Sequence, residues 1–546
     1  MPNRFVHAPP PMRGPFRTDD AARAIYAESA GVLQLLPRAV AVPGDADDLR
    51  TVVRWAASER VPLIPRGSGS SMSGGAVGDG VVVDLSRLVT LSPVDAERHT
   101  VWAESGVLRR AVEHAANAAG LRFPVDPSSG TFATMGGMAA TNAAGPRTLA
   151  MGAMRRWVSA LDCTFADGAH AVVRRGAPLP AGVGALDRWS AIAGGMREAA
   201  RALPAPRTRK ESSGYGVHDF AASGELVDLL VGSEGTLAVF SALELQLAPL
   251  PAATASLLSA WPTLSGAVTG AALARDAGAA ACELLDRTFL DVARAGGPIP
   301  VPDDAQAVLL IELEGEAGPV RERAEVLARR CEERGACGVQ LGLDAESEDA
   351  LWALRHAASP ILSRLDPNLK SMQVVEDGCV PPERLGDYVA GVRAALDRSA
   401  LRGVIFGHAG DAHVHVNALV DVRDERWRQR VRQLFDEVVA LTAALGGTLA
   451  GEHGDGRLRT PSLATTWPPT ARDLFARIKE CFDPAGILNP GVKVPSRPLD
   501  PWCHIKYDPS LPPLHEAARR ALDVVERERA YDRYRLGMLP PTEAEE

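Results

Sequence analysis

The chain reads as an α+β protein of several domains, on three observations. Short apolar runs alternate with stretches of helical period, yet without the regular β-α-β spacing of a doubly wound sheet. Apolar residues make up 46% of the sequence and charged residues 23%, ordinary globular usage that excludes wholesale disorder and fibrous repeats. At 546 residues the chain has room for three or four units of about 150 residues each. A core of that size needs no disulfide or metal staple.

The first stretch, 1–38, is rich in Pro and Arg and reads as a partly extended N-terminal extension. VAVPGDADDLRTVVRWAASERVPLIPRG then reads as strand, helix, strand. Asp45 or Asp47 can cap the helix, and 61–64 is the second strand. Stretches 81–88 and 99–106 are further strands, and 108–119 has apolar residues at helical spacing. The Ala-, Gly- and Pro-rich stretch 176–207 reads as a surface excursion. A second unit begins near 249–251. It carries a helix over 265–276, a strand over Ala307–Gly315, helices over 319–333 and 347–357, and a strand near 372–375. A strand pair over 404–420 and a long helix over 425–445 follow. A last helix, 514–536, has Arg and Glu on most faces, as either a packed tail or a docking element for a partner would.

The formal charge of −9 argues against a nucleic-acid protein, whose binding face has to neutralise phosphates. Seven scattered cysteines without a C-x-x-C pair encode neither a zinc ribbon nor an iron–sulfur ligand run. Their usage suits a reducing cytoplasm, the expected location, with membrane attachment only through a partner. The N-terminus has no apolar signal region, and no run approaches the roughly 18 apolar residues of a spanning helix.

Four segments combine glycine with hydroxyl or amide side chains: PRGSGSSMSGG (65–75), PVDPSSGTFATMGGMAATNAAG (124–145), KESSGYG (210–216) and VGSEGTLAVF (231–240). The first follows a strand and can turn successive N–H groups towards an anion. It is neither a Walker A loop nor a Rossmann fingerprint. In this order and spacing the four segments resemble the vanillyl-alcohol-oxidase-type flavoproteins, and within them the D-2-hydroxyacid dehydrogenases acting on D-lactate, glycolate or D-2-hydroxyglutarate. The resemblance runs from about residue 40 to 493.

That resemblance implies a two-lobed PCMH-type FAD-binding domain over 39–249 and an α+β cap domain for substrate over 250–465. Segment 466–500 would return to the FAD domain, and 501–546 would be a C-terminal helical tail. It implies a pyrophosphate over Pro65, Arg66, Gly67, Ser68, Gly69, Ser70 and Ser71. The isoalloxazine and ribityl chain would lie along Pro124, Asp126, Ser129, Thr134, Gly136, Gly137, Asn142 and Gly145. The adenine half would lie near Gly232, Glu234, Gly235, Thr236 and Leu237. Asn489 and Lys493, in the closing motif FDPAGILNPGVKV, would approach the flavin. Some relatives bond FAD through a His in the first loop; 68–71 holds none, so the FAD is expected to be dissociable. Ala238 stands where the family usually has Gly.

Four of the twelve histidines fall within 46 residues, in GHAGDAHVHVN and GEHGDGR. Two imidazoles and a carboxylate suit a borderline divalent cation such as Zn2+ with a position left for substrate. The motif G-H-x-G-D-x-x-x-H resembles the metal motif of the D-2-hydroxyglutarate branch. It makes His408, His415 and Glu452 the candidate ligands, Asn417 a substrate contact and His453 the general base. His413 departs from the family pattern, either in the surroundings or as an added ligand. LWALRHAASP resembles a W-x-x-R helix and makes Arg355 the candidate for the substrate carboxylate, with Lys370 and Ser359 as further candidates.

The expected reaction is oxidation of a D-2-hydroxy acid to the 2-oxo acid, with hydride passing to flavin. Electrons would then go to a quinone, an electron-transfer flavoprotein, a cytochrome or a separate iron–sulfur subunit, and the chain could form a homodimer. Two alternatives stay open. One is a flavin-binding subunit of a multi-subunit oxidoreductase; the other is a non-redox enzyme like the alkyl-glycerone-phosphate synthases.

Overall fold

The computed structural model describes residues 5–295, 297, 299–362, 368–496 and 500–541. The chain first builds two small sheets. One runs in the order Phe16–Arg17, Ala39–Ala41, Val81–Asp84, Leu63–Arg66. Its last three strands are parallel, as connections through the helix Ala46–Glu59 and a glycine-rich loop require. Asp45, not Asp47, caps that helix by accepting from the Asp48 N–H, and the helix stops at Arg60, where φ is +54°. The second sheet is antiparallel, in the order Thr100–Glu104, Val239–Gln246, Val158–Thr164, His170–Arg174.

A larger antiparallel sheet follows, in the order Gly338–Gly342, Ala253–Trp261, Ala307–Gly315, Ala281–Asp286, Arg402–His408, His413–Asp421, Leu369–Met372. The hairpin of Arg402–His408 and His413–Asp421 brings His408 opposite His413 and Phe406 opposite His415. Trp261, Tyr388, Val392 and Leu434 fill the core between this sheet and its helices, all nearly inaccessible. The helix Pro469–Phe482 then returns to the first half of the chain and sets Phe475 and Phe482 into the core beside Trp189.

Several expectations change. Stretch 176–207 is no surface excursion: it forms the 18-residue helix Gly184–Arg201 with Trp189 and Met196 buried. The Trp189 ring lies 5.3 Å from Phe220 and 5.5 Å from Phe482, so an aromatic anchor overrides the Ala-Gly-Pro composition. The strand expected at 372–375 lies at Leu369–Met372, where it can pair with His413–Asp421. The last helix is shorter than expected, Glu516–Glu528, and is closed by Arg529 at φ +54°. It is packed, its Ala518, Ala521 and Leu522 meeting Ile25 and Val40 of the first sheet's layer. Strands Ala253–Trp261 and Ala281–Asp286 and helix Leu385–Arg398 were not anticipated.

Candidate active site

One cavity of about 2050 Å³ runs between the two halves of the chain. Its size exceeds the roughly 300–1,000 Å³ of ordinary small-molecule sites, which leaves room for a dinucleotide and a substrate together. Every residue from Pro65 to Ser71 lines it. So do Asp126, Ser129, Thr134, Gly136, Gly137 and Gly145 of the second segment, and Glu234 and Gly235 of the fourth. Pro124, Asn142, Gly232, Thr236, Leu237 and Asn489 do not line it. Asn142 instead accepts from Arg155 N–H at 2.9 Å, and Thr236 pairs with Tyr215 O–H at 2.9 Å. Asn489 donates to the carbonyls of Gly75 and Glu234 at 3.0 and 2.7 Å. These side chains tie the glycine-rich segments to one another. Lys493 is likewise used in the fold, 3.0 Å from Glu234 and 3.1 Å from Asp455.

The glycines set the wall. A Cβ on Gly67 would fall 2.2 Å from Thr134 Oγ1, so the first two segments touch backbone to side chain and leave their polar groups facing the cavity. That bare cradle, in a cavity of this volume, fits an extended dinucleotide.

At the other end His408, His413, His415 and Glu452 each bring a potential ligand atom within 4.8 Å of one another, and three of these atoms stand closest together. His408 Nε2 lies 3.3 Å from Glu452 Oε1, His415 Nε2 lies 3.4 Å from the same oxygen, and the two imidazole nitrogens are 3.4 Å apart. Ligand atoms about 2.0–2.2 Å from a tetrahedral ion stand about 3.3–3.6 Å from one another. The three atoms therefore fit one face of a divalent-cation site. His453 Nε2 is 3.6 Å from Glu452 Oε1, beside that face. His413 is placed as an added donor could be: its Nε2 pairs with Asp377 at 2.8 Å, while its Nδ1, buried without a hydrogen-bond partner, lies 3.8 Å from Glu452 Oε2.

The surroundings aim these atoms. His408 Nδ1–H donates to Glu283 Oε1 at 2.5 Å, and His415 Nδ1–H donates to the Glu376 carbonyl at 2.6 Å. In the neutral imidazoles both arrangements leave Nε2 as the free acceptor; burial disfavours the His408 imidazolium, but Glu283 outweighs it and raises the pKa to about 9, so a cation at this face competes with a proton. Asp377 accepts from the N–H groups of Glu452 at 3.2 Å and His453 at 2.9 Å, which fixes the turn carrying both. Lys210 donates to Glu452 Oε2 at 2.8 Å from a fully buried position.

Charge is arranged accordingly. Burial works against the Glu452 carboxylate, but Lys210 and His408 outweigh it and hold its pKa well below the usual range. Burial likewise opposes ionisation of Glu283, yet His408 and Arg355 bring its pKa down to about 2. Burial disfavours the His453 imidazolium, while Asp377 and Glu376 overcome that and raise its pKa to about 9. Burial is the largest influence at His413 and, with His415 and Lys210 acting in the same direction, outweighs Glu452 and Asp377, so its pKa falls to about 3.

Arg355 lines the same cavity on the helix Ala345–Leu362, its Nε 2.9 Å from Glu283 and its guanidinium 4.9 Å from the Phe406 ring centre. Lys370 and Asn417 also line the cavity. The Ser359 side chain lies outside the described residues. Sequence reasoning missed Glu283, Lys210 and Asp377. Lys210 opens the KESSGYG segment, read only as a motif, Asp377 lies just past the strand expected near 372–375, and Glu283 comes from the unanticipated strand Ala281–Asp286.

The comparisons agree with this layout. A profile of the FAD binding domain matches residues 37–174, and one of the C-terminal domain of FAD linked oxidases matches 250–492. The glycolate oxidase subunit GlcD of Bacillus subtilis is 30% identical over 485 residues, 88% of this chain and 94% of that protein. D-lactate dehydrogenase of Archaeoglobus fulgidus is 30% identical over 456 residues, 83% of this chain and 90% of that protein. D-2-hydroxyglutarate dehydrogenase of Escherichia coli is 29% identical over 525 residues, 89% of this chain but 51% of that protein. Among solved structures, 4-ethylphenol oxidase from Gulosibacter chungangensis shares the fold, with a TM-score of 0.66 at 17% identity over 88% of this chain and 94% of that one. Among the described residues no helix is long and apolar enough to cross a membrane.

Proposed function

This chain belongs to the FAD-linked oxidases and has their PCMH-type fold; from that premise, and as an FAD-linked oxidoreductase of hydroxy acids, we propose that it oxidises a D-2-hydroxy acid of the D-lactate or D-2-hydroxyglutarate class to the 2-oxo acid. The observation that carries the proposal is the 3.3–3.4 Å triangle of His408 Nε2, His415 Nε2 and Glu452 Oε1, in a cavity continuous with the glycine-rich loops.

The glycine-rich loops would hold a dissociable FAD, which would supply a hydride acceptor for the α-hydrogen, and His408, His415 and Glu452 would hold a divalent metal, Zn2+ by its fit to two imidazoles and a carboxylate, which would supply a Lewis acid for the hydroxyl group. His453 Nε2, beside that face, takes the hydroxyl proton. A divalent charge nearby also works against the imidazolium and brings His453 towards the neutral form a base needs. Arg355 offers its guanidinium to the substrate carboxylate, and Asn417 and Lys370 complete the binding wall. Electrons pass on to a quinone, an electron-transfer flavoprotein, a cytochrome or a separate iron–sulfur subunit. A non-catalytic flavin subunit has no use for buried imidazole and carboxylate donors converging on one point, which favours the catalytic reading.

The test is the visible spectrum of the purified protein under argon, before and after D-lactate or D-2-hydroxyglutarate. Flavin bands that bleach with the D-acid, resist the L-isomer and stop responding after EDTA are the expected result. A protein that takes up no FAD would overturn it.

A further inference from the structure

Two buried guanidiniums stand behind the first glycine-rich loop without a carboxylate partner. Arg66, 2% exposed, donates to the carbonyls of Tyr26 and Ala76, both at 3.3 Å. Arg535, 3% exposed, comes from the far end of the chain and places Nη2 3.3 Å from the Ser68 carbonyl. Its Nη1 donates to the carbonyls of Ala530 and Arg533 at 3.1 and 3.0 Å, and its Nε is buried with no partner. Among the described residues neither arginine forms an ion pair. Asp84 acts on both, but its carboxylate is held by Tyr26 O–H at 2.5 Å and the Ser86 N–H at 2.9 Å. Two buried positive charges thus share the influence of Asp84, and Asp532, which also acts on Arg535, is itself paired with Arg110, so burial penalises a charge that is only partly offset. Burial and the neighbouring Arg535 bring the Arg66 pKa down to about 10.

The loop rests directly on this pair. Gly69 has φ +74°, and a Cβ there would fall 2.3 Å from Arg66 Nη2. The C-terminal segment also reaches the second glycine-rich segment. The Tyr531 ring lies 5.2 Å from Phe132, the Arg529 guanidinium lies 5.3 Å from the same ring, and all three residues line the cavity. Asp532 pairs with Arg110 at 2.8 Å and ties the segment to the helix Arg109–Ala118. Neither family profile extends past residue 492, so no family domain accounts for these contacts.

We propose that residues 529–535 are a clasp for the cofactor. Arg535 holds the loop through Ser68 and, with Arg66, supplies buried positive charge that the diphosphate of a flavin dinucleotide neutralises. Tyr531 and Arg529 keep the second loop against it. Arg535 itself does not line the cavity, so it acts as a positioning residue through the loop and through its field. The inference rests on the flavin reading above.

The test is flavin-fluorescence titration of the full-length protein, stripped of flavin, with FAD. The variants are Arg535→Met, which keeps the stem, and Arg535→Lys, which keeps the charge, with the melting temperature of the stripped protein as the structural control. Arg535→Met is expected to weaken FAD binding about ten- to a hundredfold, the loss of one charge-assisted interaction, and Arg535→Lys to recover part of it. FAD affinity unchanged in Arg535→Met, or a Lys variant no better than Met, overturns the clasp. A parent protein that binds no FAD brings down the flavin reading instead.

Discussion

The carboxylate of Glu283 is shared between His408 and Arg355: Oε1 accepts from His408 Nδ1 at 2.5 Å and Oε2 accepts from Arg355 Nε at 2.9 Å. One buried side chain thereby holds both an imidazole of the proposed metal face and the guanidinium proposed to meet the substrate carboxylate. Orienting partners of this kind typically change metal affinity about 10–100-fold when removed. Glu283→Gln keeps the shape and removes the charge. The expected outcome is a loss of metal affinity of that size, read by competition with a chromogenic chelator. Affinity equal to that of the parent would leave Glu283 as packing only.

His408 and His453 lie in the same cavity but have separate expected effects. His408→Ala removes one of three mutually adjacent donors and should lose the metal while keeping FAD. His453→Ala leaves that triangle intact, so flavin and metal should be retained while turnover falls about 10²–10⁴-fold, the usual contribution of general base catalysis. Metal analysis, flavin absorbance and anaerobic bleaching on the same preparations separate the two. Parent-like turnover in either variant would sink the assignment.

Much of this site was legible because it is written contiguously. The loops at 65–75 and 124–145 declare themselves by glycine and serine density, and His408 and His415 fall on one strand hairpin closed by a tight turn at Gly410. What was not legible comes from pairing across distance. Glu283 meets His408 only because the strand Ala281–Asp286 lies next to Arg402–His408 in the sheet, a register no local pattern encodes. Asn142, Thr236 and Asn489 look like ligand donors in sequence, yet their polar atoms are used by neighbouring segments. Composition misled at 176–207, where one buried Trp189 decides that a glycine-containing stretch is a packed helix.

Arg355→Lys tests carboxylate recognition. Lysine keeps the charge near Glu283 but lacks the planar fork that meets a carboxylate with two parallel bonds. The expected result is a rise in KM for the 2-hydroxy acid, with kcat/KM falling about ten- to a hundredfold, the scale of one charged hydrogen bond. FAD and metal content should be unchanged. An unaltered KM would move the carboxylate elsewhere, to Lys370 first.

Stability should also carry a pH signature from Glu211. Burial raises its pKa to about 8, although Thr448 O–H at 2.6 Å and the Ser213 N–H at 3.0 Å work in the other direction. In the unfolded chain the carboxyl returns to its ordinary value near 4.5. Between those two values the folded state holds a proton that the unfolded state has lost. Its contribution is therefore fully present below about pH 4.5 and is lost as pH rises towards about 8, with a slope of up to about 1.4 kcal/mol per pH unit. Glu211→Gln keeps the neutral form at every pH. Urea unfolding from pH 5 to pH 8 should show the parent losing stability relative to the variant across this window, the two curves running parallel above it. Parallel curves across the whole range would mean that Glu211 is ionised in the fold, held so by the Lys493 charge together with the Thr448 and Ser213 hydrogen bonds.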